Sequence, residues 1–354
     1  MYRTSRAQRR PQGLKTWLCR VLHWTGLTAL KEISSRSTLT ILTYHRVLPD
    51  EEAERYPLPQ MVMPLSAFEQ QMAELRKSYN VVSVREALHL VSSGRLPKRS
   101  VAVTFDDGYR DSYEWAWPVT KKYDIPFTLF VVTGVLDRTN SLWWDEMAFA
   151  VSAAYDGERF PPEYLATLPN WVRHRLSEGR EESCNVRILD LVKQLNPRPL
   201  MERQEVIRRL CASHPSATEE AFALMASWEE IKEMQANGVE IGNHTVTHAL
   251  LDELDPAELK QEIERASQRL EEELGQAPRY FAHPRGRSTD DALPSLKSAG
   301  IEAAVTVVPG RNDAQTNIYA LHRFDAGYLK VPGGYDPSVF RCELAGWFHF
   351  LRSE

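Results

Sequence analysis

No two of the four cysteines, Cys19, Cys184, Cys211 and Cys342, stand in a CxxC spacing. That pattern excludes a zinc ribbon and a disulfide framework, and it points to a reducing compartment. No unbroken block of like charge suggests a polyanion-binding arm, and a net charge of −5 gives no overall attraction for nucleic acid, so none is expected as a partner. Internal repeats and low-complexity tracts are absent as well. The one N-terminal stretch that imitates a leader, residues 16–30 behind Arg3, Arg6, Arg9, Arg10 and Lys15, is interrupted by Arg20 and His23 and is followed by no clear small-x-small cleavage site. Neither a secretory segment nor a spanning helix is expected from it. Trp17, Leu18, Val21, Leu22 and Trp24, with Lys15 and Arg20, instead suit a basic amphipathic helix lying on an anionic membrane surface, or a helix packed on the domain.

What remains is an ordinary globular chain of 354 residues, long enough for one barrel-sized domain with an insertion or for two domains. From residue 38 onward, short β-branched apolar runs alternate with longer segments of helical period, the mark of repeated β-α units. Strands are expected at 38–44, 101–105, 127–133, 239–242, 280–282 and 301–307, and helices at 66–78, 112–123, 228–237, 256–274 and 288–299. Asn237-Gly238 stops one helix and Asp255-Pro256 opens another. Residues 141–227 break the rhythm, being helix-prone and Pro-interrupted without a persuasive strand, and read as a helical insertion.

Two motifs carry chemistry. Val101-Ala102-Val103-Thr104-Phe105-Asp106-Asp107-Gly108 is an apolar strand that ends in two adjacent acids and a glycine. Residues at strand C-termini line the site of parallel α/β folds, and adjacent acids must diverge or share a cation or proton. A polar strand-to-helix turn in which an Asp caps the next helix also accounts for such a pair. The second motif, Asn243-His244-Thr245-Val246-Thr247-His248, again follows a short strand. If the chain turns helical at His244, both imidazoles lie on one face, and with an aspartate they form a three-ligand set that leaves positions open. Alone, an HxxxH spacing more often decorates a surface; the two motifs together favour a site.

On these residues the chain resembles the polysaccharide deacetylases, which share a nodulation-type chitooligosaccharide deacetylase domain. The family's T-F-D-D-G stands as Thr104 to Gly108 and its H-[ST]-x-x-H as His244 to His248. Leu42-Thr43-Tyr44-His45-Arg46-Val47, Phe281-Ala282-His283-Pro284-Arg285-Gly286, Pro309-Gly310-Arg311-Asn312 and Leu321-His322-Arg323-Phe324 resemble the branch of biofilm poly-N-acetylglucosamine deacetylases. The resemblance spans roughly residues 38–328, apart from the insertion.

It implies an α/β fold, a deformed (β/α) barrel of about seven parallel strands. With the charge and residue pattern outside the resemblance, the chain divides into a basic arm at 1–37, a barrel at 38–330 with the insertion at about 141–227, and a C-terminal segment at 331–354. Asp107, His244 and His248 are then ligands of a divalent metal, zinc by resemblance, with Asp106 as base and the backbone N–H of Arg285 as oxyanion donor. The family's usual third motif has an arginine where Ala282 stands and an aromatic where Arg285 stands, so the contact steadying the base must come from elsewhere, and Arg323 is the candidate. His322 is the candidate general acid, since no clean L-x-H motif appears. Substrate contacts are expected from His45, at the end of the first strand, and from His283 and Pro284. Trp143, Trp144, Trp171 and Trp228 suit a sugar-stacking wall or the core. The expected partner is a glycan or glycolipid, met in the cytoplasm or at the inner membrane face rather than in the periplasm. A deformylase-like amide hydrolase and a silent glycan-binding barrel are the alternatives, and costly retention of acids and imidazoles weighs against the second.

Overall fold

The computed structural model describes residues 12–34, 37–156, 160–177, 183–331 and 334–347. Arg3, Arg6, Arg9 and Arg10 and the end of the expected C-terminal segment lie outside them. Its strands are β1 (Leu39–Tyr44), β2 (Arg46–Leu48), β3 (Val62–Pro64), β4 (Asn80–Val81), β5 (Ser100–Phe105), β6 (Phe127–Val131), β7 (Glu240–Asn243), β8 (Tyr280–Ala282), β9 (Ala303–Val305) and β10 (Phe324–Asp325). The main sheet runs β10-β1-β5-β6-β7-β8-β9, seven parallel strands, with β4 paired to the first residues of β5. Both β1 and β5 are buried along their whole length, as the continuous apolar runs of a strand covered on both faces require. Residues 321–325 curl the sheet back on itself: Leu321 bridges Val305 of β9, and Phe324 and Asp325 register with Leu42 and Thr43 of β1. This is the deformed barrel that the resemblance implies.

Helices cover the outside. They are α1 (Gln12–Trp24), α2 (Leu27–Ser34), α3 (Asp50–Arg55), α4 (Leu65–Ser78), α5 (Val84–Ser92), α6 (Trp117–Lys122), α7 (Trp143–Asp156), α8 (Pro162–Thr167), α9 (Asn170–Ser177), α10 (Cys184–Leu195), α11 (Leu200–Ala212), α12 (Pro215–Ala223), α13 (Trp228–Ala236), α14 (Pro256–Leu274), α15 (Leu293–Ser298) and α16 (Pro337–Leu344). Local sequence sets their ends. Ser227 and Asp255 open α13 and α14 with full capping boxes, each worth about 1 kcal/mol, and Gly275 closes α14 in the left-handed conformation. The main core, including Phe68, Phe105, Phe127, Ile231 and Leu270, lies between the sheet and its helices.

Between β6 and β7, helices α7 to α12 gather round a second core of Val151, Val172, Ile188, Leu191 and Leu210. The same cluster takes in Leu48, Leu58, Tyr109 and Val132 from the barrel, so this helical lobe is packed on the barrel rather than tethered to it. A buried polar knot reinforces the junction. Asp145 of α7 accepts from the hydroxyls of Tyr56 and Tyr109, the Trp144 indole N–H donates to Tyr109, and Arg46 of β2 lies over both phenol rings and bonds Asp111 at 2.8 Å. Burial pushes the Asp145 carboxyl up to about 6 against the pull of Arg46.

Candidate metal centre and active site

At the C-terminal ends of β1, β5 and β7 opens a cavity of about 630 Å³. The two acids that end β5 diverge because Asp107 takes a left-handed backbone conformation, φ 77°, followed by Gly108 at φ 87°. A Cβ on Gly108 would meet Val131 and Leu136 at 3.3 Å, so both conformation and space restrict that position to glycine.

Asp106 turns to Arg323. The guanidinium bonds it at both oxygens, Nη1 to Oδ1 at 2.7 Å and Nη2 to Oδ2 at 2.6 Å, and is itself fully buried. Thr306 O at 2.7 Å and the hydroxyls of Thr43 and Thr104 at 3.0 and 3.1 Å complete its surroundings. Burial alone would raise the Asp106 carboxyl, but Arg323, helped by His244, outweighs it and holds the group well below the ordinary carboxylate range.

Asp107 turns to the histidines. Its Oδ1 lies 3.5 Å from His244 Nε2 and 3.6 Å from His248 Nε2, and one ligand atom from each of the three residues falls within 4.8 Å of the others. Both Asp107 oxygens are buried, with no hydrogen-bond partner among the described residues. The two Asp107–His separations are close to the edge, about 3.4 Å, of a tetrahedron with bonds of about 2.1 Å, so the cluster has room for a divalent cation. His244 Nδ1 lies 2.7 Å from Ala282 O; a carbonyl only accepts, so Nδ1 donates and Nε2 keeps its lone pair for the cluster. Burial lowers His248 to about 3, with His244 adding to the effect, whereas at His244 the neighbouring Asp107 and Asp106 carboxylates outweigh burial and raise it.

The histidines do not share a helix face, which corrects the conditional expectation. Residues 244–248 form a loop in which Thr245 and His248 take φ 71° and 60°. The loop is held from several sides: Asn243 Oδ1 accepts from Thr245 N, Thr245 Oγ1 from His248 N, and the Glu262 carboxylate of α14 from the N–H groups of Val246 and Thr247 and from the Thr247 hydroxyl. The Trp144 ring packs edge-on against His248 at 4.8 Å.

His45 and Arg285 line the cavity with the two acids, His244 and His248. Arg285 sits in the left-handed region at φ 55° before Gly286 at φ 68°, where a Cβ would come within 2.3 Å of Val307 N. His283 and Pro284 do not line the cavity, against expectation. The His283 ring points into the protein, with Nε2 3.0 Å from Tyr319 O and its face edge-on to Phe281, and burial pushes it down to about 4. His322 is also outside the lining and packs over Gly310. Of the four tryptophans only Trp143 and Trp144 reach the cavity; Trp171 lies under Arg198, and Trp228 is in the barrel core, bonded to Asp137. Among the wall residues that sequence reasoning missed are Gln60 and Met61 from a 3-10 turn, Val192 and Asn196 from α10 and its end, and Asp325 from β10. None lies in a motif, and only the fold brings them there.

A curled parallel barrel carrying an Asp-His-His cluster at its C-terminal face defines an α/β protein with a set of donors able to hold a cation in a cleft. The model of the polysaccharide deacetylase family matches residues 93–167 and 201–304, and the chain belongs to that family, hydrolases that act on amide bonds of glycans. YxkH of Bacillus subtilis (strain 168), a polysaccharide deacetylase by name, is 22% identical over 304 residues, 85% of this chain and 74% of that one. The poly-beta-1,6-N-acetyl-D-glucosamine N-deacetylase of Staphylococcus aureus (strain MSSA476) is 35% identical over 114 residues, 28% of this chain and 37% of that protein's length. Among solved structures, IcaB from Ammonifex degensii shares the fold at a TM-score of 0.52 and 22% identity, covering 88% of this chain and 97% of its own. The Streptococcus pyogenes deacetylase PplD, in complex with acetate, does so at 0.54 and 21%, covering 82% and 93%.

Proposed function

We propose that the protein removes N-acetyl groups from an amino-sugar glycan or glycolipid, with Asp107, His244 and His248 holding a divalent cation, zinc by the donor set, and Asp106 acting as base. The observation that carries this reading is the pair of buried, unpartnered Asp107 oxygens facing two imidazoles, beside a second acid that is separately ionised by Arg323. Lewis acidity and a lowered pKa for water are what such a cation supplies when bound.

The chain's own groups account for the rest. Asp106 is ionised at every working pH and takes a proton from the water that adds to the amide carbonyl. Arg323 holds that carboxylate from behind, leaving its outward lone pairs toward the cavity. The backbone N–H of Arg285, at the rim, is the donor to the oxyanion. The C–N bond then breaks, the nitrogen takes a proton and acetate leaves. We assign that proton to His45 instead of His322, because His45 lines the cavity and His322 does not. Trp143 and Trp144 offer aromatic faces to pyranose rings. Elemental analysis of the purified protein tests the cation site: about one ion per chain is expected from a tetrahedral set, with loss in His244→Ala and His248→Ala. A wild type that takes up no divalent ion overturns it.

A further inference from the structure

Six of the twelve large apolar side chains exposed among the described residues fall between positions 14 and 30. Leu14, Trp17, Val21 and Trp24 recur at i, i+3, i+7 and i+10 on α1 and so share one face, and Leu27 and Leu30 follow on α2. Trp24 is 88% exposed and Trp17 58%. The opposite face of α1 is fully used. Cys19 and Leu22 pack on Val339 and Cys342 of α16, while Lys15 pairs with Glu343 and Arg20 with Asp336. The helix is therefore apolar on two sides and docked by one of them.

Its placement gives the open face a direction. Leu344 at the end of α16 accepts from Arg311, whose neighbour Asn312 pairs with Leu39 at the start of β1. Gly334, just before α16, lies against Ala67 at the start of α4, which follows β3 and its partner β2 and so sits beyond the other end of β1. Helix α1 runs antiparallel to α16, since Lys15 meets Glu343 and Arg20 meets Asp336, and α2 returns until Glu32 bonds Arg99, just before β5. The turn that carries Trp24 thus points toward the end of the barrel that bears the cavity.

We propose that this stripe is a docking surface for an anionic lipid membrane. Charge decides between occupants. Arg3, Arg6, Arg9 and Arg10 precede the first acidic residue, Glu32, in a chain whose net charge is −5, and Lys15 and Arg20, which follow them, already pair with Glu343 and Asp336. A second copy would bring two basic arms together, whereas anionic headgroups complement them while the indoles and leucines enter the acyl boundary. Among the described residues no helix is long and apolar enough to cross a membrane, so the contact is peripheral.

The test is sedimentation of the full chain with vesicles of phosphatidylcholine alone and of phosphatidylcholine mixed with phosphatidylglycerol. The expected result is binding to the mixed vesicles, weakened by salt, and reduced about tenfold or more in Trp17→Ser/Trp24→Ser. Both side chains are exposed, so the variant should melt like the wild type and retain its activity on soluble oligomers. A fourfold Arg3, Arg6, Arg9 and Arg10→Gln variant should lose binding; all four positions lie outside the described residues. No binding, or equal binding to neutral and anionic vesicles, overturns the proposal. Self-association abolished by the tryptophan variant in the absence of vesicle binding also overturns it and makes the stripe a homodimer face.

Discussion

Arg323 is where a single residue decides most. It is a buried cation whose main partner is Asp106, and removing one member of a buried pair strands the other. Arg323→Met is expected to lower stability by about 3–5 kcal/mol at neutral pH, read by denaturant unfolding. The pH dependence follows from sign. In the wild type the lowered Asp106 pKa contributes stability above the ordinary carboxylate range, lost only when pH falls through that lowered value. In the variant burial is no longer countered by Arg323, the pKa rises, and Asp106 instead destabilises the fold as pH climbs. The gap between the two proteins should therefore widen from about pH 4 upward; a gap independent of pH would contradict the pairing. That Asp107, His244 and His248 come together beside Asp106 was legible in the sequence because each motif follows its own strand, and the parallel strands of one sheet bring their C-terminal ends to one face. The places of His283 and His322 were not, because the direction of a histidine at a strand end depends on the turn that follows, and neighbouring residues in sequence do not reveal it.

At the scale of elements, the loop that carries His244 and His248 depends on a helix that adds no residue to the Asp-His-His cluster. Glu262 of α14 closes three hydrogen bonds onto residues 246–247, between the two histidines. Glu262→Ala should leave the fold intact while lowering metal affinity roughly tenfold to a hundredfold, the usual effect of releasing an outer support. Metal titration against a chelator reads it, and unchanged affinity would show that the loop holds itself. Long strands with continuous apolar runs and helices with caps were readable within a residue or two. Helices α5 and α16 are exceptions, unmarked in the sequence reading although Ser83 and Asp336 cap them. Strands β4 and β10, two residues each, and the β2-β3 pair are too short for any periodicity to mark, and tertiary pairing alone creates them. The HxxxH spacing suggested a helix, but Asn243, Thr245 and Glu262 satisfy the backbone in a loop instead.

Across the whole molecule, the N-terminal helices are part of the folded body. Glu32 of α2 is buried and takes hydrogen bonds from Tyr79, Arg99 and Arg341, joining the arm to the base of β5 and to α16. Glu32→Ala leaves two arginines short of their carboxylate and is expected to cost about 3 kcal/mol, measurable as a lowered denaturation midpoint with unchanged slope. An unaltered midpoint would mean that the arm is held by its apolar contacts alone. The barrel closure by residues 321–325 operates at the same scale, since the segment that completes the sheet also carries Arg323 to Asp106. The family pattern announced a barrel; how it closes was visible only in the folded chain.

The central claim, amide hydrolysis driven by Asp106 at an Asp-His-His cation site, meets its most direct test in acetate release. The substrate is a short N-acetylglucosamine oligomer, and metal-replete wild type is compared with Asp106→Asn at equal metal content. The account predicts acetate from the wild type and a loss of about a hundredfold to ten-thousandfold in the variant. Equal rates from both proteins, or no acetate from a wild type that holds its metal, would contradict it.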